Sequence, residues 1–149
     1  MDLLRRSLIT ALLFGIWSRF SGAAGLITWA GAAGCTTYFA AGGGREGAVK
    51  AAFSNASGIF WAILSIRLAL KSVDSSLLMA LTTCCMCMQG RFCRFTYTPG
   101  VFIGCFCVFA AGGMSFAFAL SVFIGIGIGC ISDCIGEMKK GIKKEGAVQ

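Results

Sequence analysis

The sequence has 149 residues, 57% of them hydrophobic and only 13% charged, with mean hydropathy +0.82, which is more apolar surface than a soluble domain of this size can bury. Its net charge of +7 would suit nucleic acid only if the cations shared a groove with interleaved aromatics. They stand instead at the ends of apolar runs, so lipid is expected as the solvent and nucleic acid is not expected as a partner.

The uncharged runs cover residues 20–44, 51–66, 75–90 and 95–132. A soluble helix would show a recurring polar face through such runs. Read in chain order they give six segments, about 3–20, 23–41, 47–66, 73–90, 98–112 and 115–134. Helices are expected throughout, because backbone groups in lipid must be bonded within their own segment. Arg5 and Arg6 before an apolar run could open a signal peptide, but a second apolar segment follows at once, so 3–20 reads as the first span. Residues 136–149, with Lys139, Lys140, Lys143 and Lys144, read as a short basic cytoplasmic tail after a single transmembrane domain over 1–135.

With both termini in the cytoplasm, Arg5, Arg6, Arg45, Lys50, Arg91, Arg94 and the four tail lysines lie inside, leaving Arg19, Arg67 and Lys71 outside. That asymmetry supports an even number of spans in a multi-pass plasma-membrane protein. A five-span alternative arises if one short Gly-rich segment only dips into the bilayer.

Residues 34–43 match 104–113 at Gly-Cys, at Phe-Ala-Ala and at Gly-Gly. Arg19-Phe20 matches Arg91-Phe92 upstream, and Ser54 with Gly58-Ile59 matches Ser121 with Gly125-Ile126 downstream. Three matches in order over three consecutive segments point to a duplicated unit, with repeat one over about 3–70 and repeat two over about 73–134. A unit with an odd number of spans enters upside down the second time, so the expected fold is all-α, six transmembrane helices as two inverted three-helix repeats.

In such folds a solute site lies where matching Gly-interrupted segments meet. The second and fifth segments qualify, and the expected path is lined by Gly31, Gly34, Cys35, Thr36, Tyr38, Phe39 and Asn55 from one half. Gly100, Gly104, Cys105 and Phe109 would line it from the other, with Pro99 opening that segment. Enlarging Gly34 or Gly104 is then expected to block the path with the fold intact. The competing account, tight helix packing by small residues, is preferred for each glycine taken singly, so the path rests on the pair of segments; it holds above all for Gly125 and Gly129, a face expected to favour a homo-oligomer. Asn55 is the best polar pointer, since a buried amide needs partners, and a satisfied interhelical hydrogen bond is expected there ahead of solute binding.

No ionisable residue lies in the middle of a segment and the chain has no His. Proton-driven exchange is disfavoured, with Asp133 near the end of the sixth segment keeping it open. Nine cysteines read by default as free thiols. Cys84, Cys85, Cys87 and Cys93 beside Met86 and Met88 could hold a soft metal, but their spacing fits no standard motif, so neither metal nor cofactor is expected. No nucleophile–base pair or facing carboxylates can be drawn from the segments, which argues against an enzyme.

Gly15-Ile16-Trp17, Trp29-Ala30-Gly31, Gly34-Cys35-Thr36, Tyr38-Phe39-Ala40, Met86-Cys87 with Gln89, Pro99-Gly100 and Phe102-Ile103-Gly104 carry a resemblance to the YcdZ-like family of small bacterial inner-membrane proteins. It covers nearly the whole chain except the tail and implies a bacterial inner-membrane location, with no reaction or cofactor. Two functions remain: a channel or facilitator for a small neutral or weakly charged solute, or a structural or accessory membrane protein. A polar file between the halves would favour the first, and a dry, packed interior the second.

Overall fold

The computed structural model describes residues 2–71, 74–94, 96–113 and 115–145, with side chains described from Leu4 to Gly136. The described residues form six helices and no strand: α1 (Asp2–Ser21), α2 (Thr28–Ala40), α3 (Gly44–Ala69), α4 (Ser75–Phe92), α5 (Thr98–Ala110) and α6 (Phe116–Glu145). Two stretches are long and apolar enough to cross a membrane, Gly44–Ala69 and Phe116–Gly136.

The helix ends differ from the sequence reading in two places. Residues 23–27, expected in the second span, lie outside α2 because Gly25 takes φ +67° in the turn that precedes it. That leaves α2 and α5 with 13 residues each, about 20 Å of helix against a hydrocarbon core of about 30 Å. The basic tail does not begin as a separate segment at 136, since α6 runs on to Glu145. The tail side chains and residues 146–149 lie outside the described residues, as does Val73, expected to open the fourth segment.

Both short helices stop in the same way. After Ala41 and Ala111 the chain turns at Gly42–Gly43 (φ +103° and +68°) and at Gly112–Gly113 (φ +72° and +133°), conformations open to glycine at little cost. The N–H of Gly43 reaches Tyr38 O at 3.2 Å and that of Gly113 reaches Val108 O at 3.0 Å. Both starts are alike too: Ile27 and Tyr97 are extended N-cap residues with no side chain able to cap.

The core assembles by exchange between the two runs of three helices. Helix α2 packs most extensively on α6 and α5 on α3, while α1 lies against α6 and α4 against α3. The inward and outward positions of residues 31–40 recur one for one in 101–110, and those of 51–59 recur in 118–126.

The distribution of side chains is inside out for a water-soluble protein. Leu4, Leu8, Leu12, Ile16 and Phe20 form an exposed stripe at every fourth position of α1, whereas Ser54, Asn55, Thr37, Ser121 and Ser132 are buried. Contiguous apolar exterior of that kind calls for a lipid solvent or a partner.

Candidate functional site

The expected lining glycines sit where helices touch backbone to backbone. A Cβ added at Gly34 would collide with Val122 O of α6, and one at Gly104 would lie 2.5 Å from Asn55 O of α3. The reciprocal contacts are alike, with Gly58 against Val101 O and Gly125 against Gly31 O. Gly34 and Gly104 therefore close the α2–α6 and α5–α3 crossings and face no open path, which corrects the expectation that they mark its narrowest part. Gly125 and Gly129 are likewise occupied within the chain, Gly129 by the Tyr38 ring, so that face is not free for a second subunit.

The other expected lining residues divide three ways. Gly31 is covered by the Trp17 indole, whose N–H donates to Thr28 O at 3.0 Å, and Gly100 lies against Thr37 and Ser54. Cys35, Tyr38, Asn55 and Cys105 are buried. Thr36, Phe39 and Phe109 turn outward, the Thr36 hydroxyl bonding Ala32 O of its own helix, so these three do not line an interior route.

Asn55 keeps its place as a polar pointer, with a sharper geometry than the sequence allowed. Its amide donates to Ala51 O at 2.9 Å, but Oδ1 is buried with no hydrogen-bond partner, the one such side-chain atom among the described residues. The preceding helix turn takes one N–H of the amide, and the buried oxygen is left without a donor. A buried unpaired carbonyl costs about 1–3 kcal/mol, so the position calls for a donor. Val122 stands at the corresponding position of α6 and needs none.

A polar cluster that the sequence did not reveal joins the ends of α1, α2 and α3 to Asp133 within α6. Arg6 Nη2 pairs with Asp133 Oδ1, the Tyr38 hydroxyl donates to Asp133 Oδ2 at 2.8 Å, and the Gly44 N–H donates to Tyr38 Oη at 2.8 Å. The Arg6 shaft lies along Gly136, where an added Cβ would come within 3.3 Å of it. The signal was present in Arg6 and Asp133, but they stand 127 residues apart, and Arg6 read as a topology cation.

Hydroxyl pairs link the outer helices to the long ones: Thr10 with Ser132 at 2.6 Å, and Ser65 with Thr82 at 2.9 Å. Beside each pair opens a groove of about 550 Å³. One is walled by Arg6, Ser7, Thr10, Ala11, Phe14 and Phe39. The other is walled by Leu78, Met79, Thr82, Thr83, Met86 and Phe109, together with Ser75 at the start of α4, residues at the end of α3 and Phe102, Cys105 and Phe106 of α5. In the register that pairs Arg19 with Arg91 and Phe39 with Phe109, these six wall residues correspond one for one, with Leu78 where the first has Arg6. Among the described residues no three or more Cys, Asp or Glu gather to hold a metal ion.

Residues 7–137, from the first turns of α1 into α6, match the family described as protein of unknown function (DUF1097). The chain belongs to this family. Over 116 residues it is 34% identical to the inner membrane protein YcdZ of Salmonella typhimurium, covering 74% of this chain and 72% of that one. It is equally similar to the inner membrane protein YcdZ of Escherichia coli K12, covering 74% and 71%. The resemblance read from the motifs is thus borne out, and both relatives are inner membrane proteins by name. No solved structure matches.

Proposed function

We propose that this DUF1097 chain is a multi-pass inner-membrane facilitator for a small neutral or weakly charged solute. Its transmembrane domain is read as two three-helix units inserted with opposite orientation, with both termini cytoplasmic. The exchanged packing of α2 on α6 and α5 on α3, the matched glycine crossings and the matched grooves support that arrangement. Six helices in the membrane then means that α2 and α5, too short to cross alone, rest on the long helices, which carry the full span.

The observation that carries the solute reading is the unpartnered Asn55 Oδ1. An oxygen held ready in an otherwise satisfied interior accepts an N–H or O–H from a passing molecule without preparatory rearrangement. Small neutral donors such as water, urea, glycerol or ammonia have the required chemistry. Entry uses a conformation in which the crossings at Gly34 and Gly104 separate.

Reconstituted protein should speed the entry of at least one of these solutes into liposomes with little dependence on a proton gradient, and Asn55→Val should remove that flux. Background rates for the whole panel would overturn the reading. A second reading, an accessory membrane protein without transport, is favoured by the backbone contacts at Gly34, Gly58, Gly104 and Gly125, which close the helix crossings. A homo-oligomer fits either reading. Its contact would use the exposed Leu and Phe faces, since Gly125 and Gly129 are taken.

A further inference from the structure

We infer that the groove between α1 and α2 is a binding site for an anionic phospholipid, with Arg6 at the headgroup and Ala11, Phe14 and Phe39 along an acyl chain. The inference needs the chain to lie in a membrane and is independent of any solute. Five of its six wall residues run down the α1 face in the order Arg6, Ser7, Thr10, Ala11, Phe14, so the wall grades from a cation through hydroxyls to an aromatic ring, with Phe39 of α2 as the sixth. An anionic amphiphile has the same gradient: charge, ester oxygens, hydrocarbon.

Charge complementarity selects the anionic class. The Arg6 side chain is 43% exposed and forms part of the wall, whereas Asp133 is 8% exposed and lies behind it on α6. The carboxylate orients the guanidinium, and the groove itself presents the cation. A guanidinium carries five N–H donors in a planar fork, suited to a phosphate diester. Arg5 stands beside it at the same end of α1, and basic pockets between membrane helices are recurrent headgroup sites. The volume of about 550 Å³ lies within the usual range for a ligand pocket, about 300–1,000 Å³.

The second groove supplies an internal control. Leu78 replaces Arg6 there, and Ile66 replaces Asp133, while the hydroxyl pair and the terminal Phe are kept. The volumes are equal and the second groove is walled further by apolar side chains of α3 and α5, so both suit a hydrocarbon chain, but only the first presents a cation to a headgroup.

The test is native mass spectrometry of the purified full chain with phosphatidylglycerol and phosphatidylcholine of identical acyl chains. Wild type should retain phosphatidylglycerol preferentially by about fivefold per contributing arginine. The double variant Arg6→Leu/Asp133→Ile, which copies the second groove, should lose the preference. Ala11→Trp fills the groove and leaves the ion pair in place, so it serves where the double variant does not assemble, and it should also lose the preference. Thr83→Trp, its counterpart in the other groove, should keep it. Equal retention of both lipids by wild type, or an unchanged preference in Ala11→Trp, overturns the site. Displacement by millimolar inorganic phosphate would make it a free-anion site, and a lipid-free dimer that Ala11→Trp dissociates would make it a subunit contact; either result overturns the lipid assignment.

Discussion

The Ser54 hydroxyl in α3 accepts a hydrogen bond from the Tyr97 backbone N–H at 2.6 Å, supplying a partner to the N-cap residue of α5 from another helix. Ser121 of α6 does the same for Ile27 at the start of α2, at 2.9 Å. Neither Tyr97 nor Ile27 has a side chain that can cap its own helix, so each short helix is held at its N-terminus by the long helix of the other half. Ser54→Ala and Ser121→Ala should each lower stability by about 1–2 kcal/mol, with the effect read by SDS titration of the purified protein in mild detergent. A cost for one and none for the other would show that the matched contacts do not bear matched loads.

The matched serines were legible in the sequence as members of a repeat, and their work was not. Ser54 and Ser121 recur with Gly58-Ile59 and Gly125-Ile126, which suggests one helix face built twice, but not which helix start each hydroxyl would reach. Periodicity reports burial within a helix, whereas the bonds run to α5 and α2 across the interface. The short length of α2 was hidden for a related reason: Leu26 and Ile27 continue the apolar run, and only the positive φ of Gly25 separates turn from helix. The pairing of Arg6, read as a topology cation, with Asp133 was not legible because it depends on α1 docking against α6.

Glycine substitutions separate packing from lining. Gly104→Ala should impair assembly, since its Cβ would sit 2.5 Å from Asn55 O, and backbone cannot swing aside as a side chain does. Gly34→Ala should behave likewise against Val122 O. Gly15→Ala and Gly127→Ala meet nothing within 4 Å and lie inside helices, so they should be neutral or gain up to about 1 kcal/mol. Size-exclusion profiles and thermal shifts of the four variants check this. A monodisperse, wild-type-like Gly104→Ala protein would return that glycine to the list of path residues.

The Asp133 cluster should be a stability determinant. Asp133→Asn keeps the shape but removes the charge from a carboxylate that holds Arg6 and Tyr38, and it should cost about 1–3 kcal/mol. Tyr38→Phe removes the hydroxyl that receives the Gly44 N–H at 2.8 Å and should cost about 1 kcal/mol. Their double variant should cost less than the sum, because both act on one network. Strict additivity in denaturation would mean that the two side chains work separately.

Orientation is open to a direct measurement. Arg5, Arg6, Arg45, Lys50, Arg91 and Arg94 should be protected from an impermeant outside reagent, and Arg19, Arg67 and Lys71 should lie on the other side. Cysteine scanning in a background lacking the nine native cysteines, at residues adjacent to these cations, distinguishes the sides. Labelling of both ends of α1 from outside would contradict the inverted arrangement.

Asn55→Val tests whether the interior holds a waiting acceptor or a hidden solvent molecule. Valine occupies the matching position of α6 at Val122, fully buried, so the replacement has a precedent of similar shape in the same fold. Asn55 spends its donor on Ala51 O, a carbonyl already engaged in its own helix, and leaves Oδ1 unpaired. Removing both polar atoms should therefore leave stability unchanged or raise it by up to about 2 kcal/mol, while abolishing solute flux. A bound water donating to Oδ1 would reverse the sign, since valine would discard that bond and leave the water's site unfilled. Stability measured beside flux thus separates the two: loss of flux with retained stability supports a solute acceptor, and loss of stability with unchanged flux makes Asn55 a structural anchor.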